Sequence, residues 1–359
     1  MNNSDKVKPK WDIREYQDGD EKKVLELRKA TLGKPKDLLW WKWMYRNGPD
    51  GPVIFWLAYD KQKVIGINPG LPLRIKIGEQ ICKSLLGFDI MTHPDYQGKG
   101  VLGSLALVGT KYRLENGYCI DHGTSTPQKY WIYRKLKISH LVSAVCQPPL
   151  MVKVFDWGRV LKTRYKIPAF IGNIYGYFRK STTGGTPSSQ NNDIKVEQIY
   201  SFDESMDKLW SKASEIKKIM IVRDMKYLNW RYVEKPGEEY KLFLAKRQQE
   251  VVGYLVLKFE INDITRGYIV DLLTLPGEDI FAEALIAKAI EYSQDENAAT
   301  MSCLMLPDTP YYRILKRLGF MHRRSFIQLN VRVFDPNLSG EFVGDSGNWY
   351  FAFGDTDTI

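Results

Sequence analysis

Cysteine and histidine are scarce in this 359-residue chain, with four of each. The cysteines (Cys82, Cys119, Cys146 and Cys303) are scattered, none forms a C-x-x-C pair, and the histidines lie far from one another in sequence. Neither a disulfide framework nor a metal site is expected from such spacing. Also missing is any stretch near the ~18–20 uninterrupted apolar residues of a membrane span. The segment Met1–Lys10 is polar and basic with no apolar run behind it, so no signal peptide and a cytoplasmic location are the expectation. Lys and Arg exceed Asp and Glu to give a formal charge of +10, but no run of them reaches the length of a basic tail. Clustered Arg interleaved with aromatics is absent as well, which argues against nucleic acid as a partner. The charge reads as solubility plus a modest field favouring anionic ligands.

What the chain does have is globular: 44% hydrophobic and 26% charged residues, with 10 Trp and 21 Tyr. Residues 179–193 (RKSTTGGTPSSQNND) hold no large apolar side chain and read as a flexible linker between domains at 1–178 and 194–359. The two halves are alike. Trp43-x-Tyr45 recurs as Trp230-x-Tyr232 and Val64-Ile65-Gly66 as Val251-Val252-Gly253, both at an offset of 187. Farther on the offset settles at 182, matching Asp89 with Asp271, Thr92-x-Pro94 with Thr274-x-Pro276, Leu136 with Leu318 and His140 with His322. Two constant offsets over six blocks indicate a tandem repeat, with a hairpin longer by five residues in the first copy.

Within the first copy, residues 20–29 and 100–116 have helical spacing, and 128–136 reads as a further helix. Apolar runs at 53–59, 64–70, 71–77, 84–91 and 118–122 read as strands. Helix, several antiparallel strands, then strand–helix pairs make an α+β fold rather than a βαβ series.

The segment carrying chemistry is Thr92-His93-Pro94-Asp95-Tyr96-Gln97-Gly98-Lys99-Gly100-Val101-Leu102-Gly103, a strand feeding a Gly-rich loop that opens into a helix. Such a loop points backbone N–H groups and the positive end of the helix dipole at one place, which suits phosphate oxygens. Lys99 adds a positive charge, and a simple tight turn is the alternative. This segment resembles the acetyl-CoA-binding motif Gln/Arg-x-x-Gly-x-Gly/Ala of the GCN5-related N-acetyltransferases. Gln97 and Gly100 match it, while Leu102 stands where the last Gly or Ala is usual and Gly103 follows one place late. Residues 132–138 (IYRKLKI) resemble the family's later Leu-Tyr-x-Lys-x-Gly-Phe signature, and Leu315-Lys316-Arg317-Leu318-Gly319-Phe320 keeps its Gly-Phe.

The resemblance implies two tandem domains of that fold, each a mixed, mostly antiparallel sheet flanked by helices. It implies acetyl-CoA as acyl donor and transfer to a primary amine by direct attack on the thioester. The backbone at Met91 and Thr92 would pair with the pantetheine amides, and one N–H there would polarise the thioester carbonyl. Amides of Gln97, Gly98, Lys99, Gly100, Val101, Leu102 and Gly103 would hold the pyrophosphate, and Thr126 and Gln128 would reach the cofactor arm. Tyr133 would protonate the departing thiolate, a phenol of pKa about 10 serving a thiol of about 8.5; a core-facing aromatic is its plainer reading. Asp89 is one candidate base, although its repeat partner Asp271 points to a structural Asp. His122 and His140 read as satisfied core or surface histidines. Trp40, Trp41 and Trp43 either line an acceptor cleft or pack a helix end.

The run Trp349-Tyr350-Phe351-Ala352-Phe353 reads as a strand, delivering Asp355, Asp357 and the carboxylate of Ile359 to one place. Some tandem members of the family, and the related N-myristoyltransferases, use a C-terminal carboxylate as base, so Asp357 and Ile359 join the candidates. A small-molecule acceptor (an amino sugar, a small amine or an amino acid) is expected ahead of a protein lysine, with no membrane partner. The competing reading is a catalytically inactive CoA-binding or scaffold protein. At the 182 offset, Gln97-Gly98-Lys99-Gly100 becomes Asp279-Ile280-Phe281-Ala282, beside Glu278. Bulk and negative charge there oppose a pyrophosphate. Calorimetric titration is therefore expected to give one CoA per chain, and a stoichiometry of two would refute the asymmetry between the copies.

Overall fold

The computed structural model describes residues 11–33, 36–125, 143–169, 171, 174 and 193–356. Tyr133, Thr126, Gln128, His140, Asp357 and Ile359 lie outside the described residues, as do the expected helix at 128–136 and most of the 179–193 linker.

The first copy runs β1 (Asp12–Glu15), α1 (Glu21–Leu32), α2 (Leu38–Trp41), β2 (Trp56–Asp60), β3 (Lys63–Ile67), β4 (Gly70–Ile77), β5 (Gln80–Gly87), β6 (Met91–Thr92), α3 (Val101–Glu115), β7 (Ile120–Ser125) and β8 (Ser143–Cys146). Next come β9 (Leu150–Val154), α4 (Trp157–Tyr165), β10 (Ile194–Ile199), α5 (Ser205–Ala213), β11 (Ile219–Ile221), α6 (Met225–Tyr232), β12 (Tyr240–Arg247), β13 (Glu250–Ile261) and β14 (Thr265–Thr274). The chain continues through α7 (Asp279–Asp295), β15 (Thr300–Leu304), α8 (Pro310–Arg317), β16 (Met321–Arg323), β17 (Gln328–Val333) and α9 (Gly340–Gly344).

The repeat is visible in the hairpins. Gly66 pairs with Thr92 in the first copy and Gly253 with Thr274 in the second. Counted from those pairs, each arm is three residues longer in the first copy and the turn one shorter, which leaves the five-residue difference between the offsets.

The compact bodies do not follow the division at the linker. One comprises Met1–Ile75, Ile81–Val145 and Gln328–Gly344, the other Lys76–Gln80, Cys146–Ile327 and Asp345–Ile359. The cause is an exchange of strands. β9 follows β8 in the chain but lies between β15 and β16, whereas β17 follows β16 but lies between β7 and β8. Each sheet position beside the parallel pair (β5·β7 or β14·β15) is filled by an antiparallel strand from the other copy. The boundaries at 178 and 194 thus describe the repeat in sequence and not the folded bodies. A strand's apolar pattern says that it joins a sheet and leaves open which one.

In the first body, α3 packs Val101 and Leu105 on Trp56, Ala58 and Ile65. On residues 40–45, Trp41 stacks on Tyr45 at 3.9 Å and meets Phe55 edge-on, with Trp40, Trp41 and Trp43 all buried. The tryptophan cluster therefore packs a helix end. His122 on β7 is buried with Nε2 3.3 Å from Ser84 Oγ, whose hydroxyl also donates to the Leu73 carbonyl at 3.0 Å.

The second body buries an ion network. Arg223 donates to Asp271 at 3.1 Å and to both oxygens of Asp355 at 2.7 and 2.8 Å, and all three side chains are closed to solvent. Tyr232 and Tyr254 hydroxyls donate to Asp271 at 3.0 and 3.1 Å. Arg231 donates to the carbonyls of Gly354 and Thr356 at 3.1 and 2.6 Å, so a second guanidinium holds the backbone on either side of Asp355. The expected strand at 349–353 is not formed. Trp349 makes one isolated bridge to Ile219, and residues 353–355 turn in a 3-10 helix, although the whole run is buried. Side-chain donors from Arg231, rather than a ladder, hold this segment. Asp355, tied to Arg223, is a structural carboxylate and not part of an exposed acidic cluster.

Among the described residues no helix is long and apolar enough to cross a membrane. None of their His, Cys, Asp and Glu side chains group so as to hold a metal ion.

Two outcomes follow. Arg223→Met strands two buried carboxylates and should lower the melting temperature by roughly 10 °C, from a cost of about 3–5 kcal/mol; an unchanged melt would show the network dispensable. Burial pushes His122 down to about 4. The native state thus excludes a proton that the unfolded chain takes up below its ordinary pKa of about 6.5, so stability falls as pH drops from about 6.5 towards 4. Between pH 7 and 5 that loss is about 2 kcal/mol. In urea titrations His122→Gln should lack this share of the acid sensitivity.

Candidate active site

A short strand with one open edge begins the site. β6 pairs with β3 through Gly66–Thr92 and Ile67–Met91 and ends its sheet, so its other edge is free for a strand-like partner among the described residues. The expected single strand over 84–91 is instead broken. β5 runs parallel with β7 from Ser84–Ile120 to Gly87–Gly123, and there the two part. A Cβ on Gly123 would lie 2.8 Å from the Gly87 carbonyl oxygen, so no side chain fits at the last pair before the strands separate. Asp89 makes the break with φ +43°, a conformation Asp tolerates better than most. Arg28 Nε holds its carboxylate at 3.0 Å and Tyr45 donates to the same oxygen at 3.3 Å. Asp89 therefore has a positioning task at the break.

From β6 the chain passes His93 into a 3-10 turn (Pro94–Tyr96) and reaches Gly98 at φ +74° and Gly100 at φ +84°. Both angles favour glycine. An added Cβ at either would meet no protein atom within 4 Å, so these glycines face open space and are not needed for packing. Gly100 caps α3, whose first turn contains no acidic residue. The N–H groups of Val101, Leu102 and Gly103 have no intrahelical acceptor in an α-helix and point out at the positive end of its dipole. The loop is braced: Trp11 Nε1 donates to the Lys99 carbonyl at 3.3 Å, and Tyr96 donates to Asp60 at 2.6 Å. The Lys99 ammonium lies 5.2 Å from the Tyr96 ring centroid. Gln97, Gly98, Lys99, Gly100, Val101, Leu102 and Gly103 are thus brought together with Met91 and Thr92. The arrangement fits a pyrophosphate whose attached arm runs along β6.

Beside the break lies a cleft between the Leu102–Ala106 side of α3 and the strands β7 and β17. Its β17 wall, with Asn330 and Arg332, is the part that sequence reasoning missed. The signal was present, since Gln328-Leu329-Asn330-Val331-Arg332-Val333 alternates polar with apolar. It sits in the second half of the chain, where nothing ties it to the Gly loop.

The second copy uses the same positions otherwise. The N–H of Thr274, equivalent to Thr92, donates to the Tyr311 hydroxyl at 2.9 Å. Glu278 precedes α7 and pairs with Arg247 at 2.6 Å, while Phe281 and Ala282 are buried where the first copy has Lys99 and Gly100. The equivalent loop thus carries a carboxylate and a buried ring in place of glycines, and its strand N–H is already taken.

Residues 12–137 match the family model described as an acetyltransferase (GNAT) domain. A search of curated proteins returns no significant match. Among solved structures, a GCN5-related N-acetyltransferase from Anabaena variabilis has a TM-score of 0.66 at 12% identity, over 90% of this chain and 73% of that one. A probable N-acyltransferase from Enterococcus faecalis gives 0.63 at 9% identity, over 90% and 72%. The N-myristoyltransferase of Saccharomyces cerevisiae, solved with bound myristoyl-CoA, gives 0.58 at 10% identity, over 90% and 82%. Residues 12–137 thus carry the match to an acetyltransferase (GNAT) domain, and the fold of GCN5-related N-acetyltransferases extends over nearly the whole chain as two GNAT-like bodies.

Proposed function

We propose that the first body is an acyl-CoA-dependent N-acyltransferase, with acetyl-CoA the expected donor and a primary amine the acceptor. The observation that carries this reading is an open-edged strand running through Gly98 and Gly100 into a bare helix N-terminus, next to a parting pair of strands. The pyrophosphate sits on the N–H groups from Gly98 to Gly103, and charge-assisted bonds of this kind are worth about 1.5–3 kcal/mol each. The pantetheine arm pairs with β6, which brings the thioester to the break at residues 87–91. A neutral amine attacks the thioester carbon, and the carbonyl oxygen, now negative, takes a backbone N–H of β6. The C–S bond breaks as the tetrahedral intermediate collapses, and the thiolate leaves with a proton. Tyr133 is the donor that the family resemblance supplies. Asp89 is a poor choice of base because Arg28 and Tyr45 already occupy its oxygen. His122, held neutral with its pKa near 4, binds a proton too weakly to serve at neutral pH. A water relay, or Asp357, is left to accept the amine proton. The second body takes no CoA in this reading, because Tyr311 takes the Thr274 N–H, Glu278 and Asp279 bring negative charge, and no glycine opens the loop to phosphate.

A β-branched side chain at Gly100 both strains a φ of +84° and fills the space meant for phosphate. Gly100→Val should weaken acetyl-CoA and desulpho-CoA by roughly tenfold or more, about 1.4 kcal/mol. Undiminished affinity in a folded Gly100→Val protein would rule the loop out as the pyrophosphate site. Tyr133→Phe should bind acetyl-CoA as the parent does and release thiol at least roughly a hundredfold more slowly. Equal rates would remove Tyr133 as the acid. A parent chain that binds acetyl-CoA but releases thiol to no amine would favour the inactive CoA-binding reading.

A further inference from the structure

The two sides of the cleft in the first body differ chemically. Ile90, Leu102 and Ala106 make one side apolar, while β7 and β17 make the other polar. On β17, Asn330 stands opposite Gly123 and Arg332 opposite Asp121, so both side chains project to one face about 7 Å apart along the strand. Asn330 lies opposite the point where β5 and β7 part, and Arg332 lies two residues deeper.

Neither group is satisfied by the protein. The Asn330 amide nitrogen donates to Ser125 Oγ at 2.9 Å and to the Gln328 carbonyl at 3.1 Å, which fixes the amide's orientation. Its Oδ1 is left with no partner, although the residue is only 8% exposed. Leaving a buried acceptor unpaired costs about 1–3 kcal/mol, so such an atom in a cleft wall marks a place where a donor belongs. Arg332 donates one N–H to Thr110 Oγ1 at 2.6 Å and lies over the Phe334 ring at 4.6 Å. Its neighbouring carboxylate, Asp121, is already held by Arg113 Nε at 2.7 and 2.9 Å to its two oxygens. Two guanidiniums thus share one carboxylate. Burial pushes Arg332 down to about 10, with Asp121 opposing the shift and Arg113 adding to it. The wall carries an idle acceptor near the break and an under-neutralised cation beyond it.

We propose that this wall is a carboxylate site, in which Arg332 holds the carboxylate of a substrate and Asn330 Oδ1 accepts an N–H from the same molecule. Two substrates of the proposed transfer present that chemistry. One is an acceptor amine that carries a carboxylate, an α-amino acid. The other is an acyl-CoA whose acyl group ends in a carboxylate, with a pantetheine amide as donor. Assigning the ligand to the transfer reaction rests on the function proposed above; the binding itself does not.

Calorimetry on the full chain separates the sources. In one arm, protein with and without saturating CoA is titrated with each common α-amino acid and with its decarboxylated amine. In the other, succinyl-CoA is compared with acetyl-CoA. The expected result is that one arm favours the carboxylate-bearing ligand by roughly tenfold or more, as a charge-assisted bond implies. That ratio should fall towards one in Arg332→Gln and be partly kept in Arg332→Lys. Asn330→Asp, which sets a negative charge beside the site, should lower it too. Because the readout is a ratio within each variant, a general loss of stability does not imitate it, and circular dichroism identifies any variant that fails to fold. No preference in either arm, or a preference that survives the Arg332 and Asn330 substitutions, overturns the proposal. Absence of any CoA binding would refute the proposed acyltransferase instead, while the CoA-free titrations would still read the carboxylate site.

Discussion

The parting of β5 from β7 after Gly87 is the constraint on which the first body depends. A parallel ladder that continued would satisfy its own backbone groups and leave nothing for a ligand. Two residues beyond the end of the ladder Asp89 turns the chain at φ +43°, and Arg28 and Tyr45 hold its carboxylate. The chain then resumes as β6 on the β3 side, with one edge unpaired and a helix N-terminus a few residues on. An open strand edge and a bare helix end leave backbone groups unpaired. Placed side by side, they become a binding surface for a molecule with amides along one part and phosphates at the other.

The second body uses the same scaffold differently. There the parallel ladder of β14 with β15 also ends, at Ile269, but β14 stays paired with β13 through Thr274, and Asp271 stands where Asp89 does, in a sealed network with Arg223, Asp355 and tyrosines. The N–H of Thr274 is taken by Tyr311. A Cβ on Gly354 would run into the Tyr232 hydroxyl, so the buried turn at 353–355 has room for no side chain at that position. Buried ion networks of this kind are costly to break and contribute little over an apolar core, so their effect is to hold one arrangement of the segment rather than to add stability.

Exchange of β9 and β17 makes each body depend on the other copy's chain. The strand that completes the cleft wall of the first body, with Asn330 and Arg332, is made after the whole second copy. A tandem repeat joined in this way cannot be divided at its linker without removing a strand from each sheet. It also lets residues of the second copy take part in the site of the first, which a pair of independent domains could not do.

Much of this is local and was legible in the sequence. Gly98 and Gly100 signal positive φ and an open approach, because no other residue takes such angles freely, and the run from Met91 to Gly103 announces strand, loop and helix by composition alone. The two offsets fix the repeat, and Asp279-Ile280-Phe281-Ala282 in the place of Gln97-Gly98-Lys99-Gly100 marks the second copy as lacking a phosphate cradle. What the sequence could not determine is long-range pairing. Alternation in 328–333 predicts a strand and which residues share a face, but the sheet it joins is chosen by contacts hundreds of residues apart. The same holds for residues 349–353, whose apolar run suits a strand or a buried turn equally until Arg231 and Tyr232 are seen to hold it. Asp89 and Asp355 make the point for charge: an acidic residue is visible in the sequence, but only the tertiary structure, by setting an arginine against each, decides that it holds the chain in place.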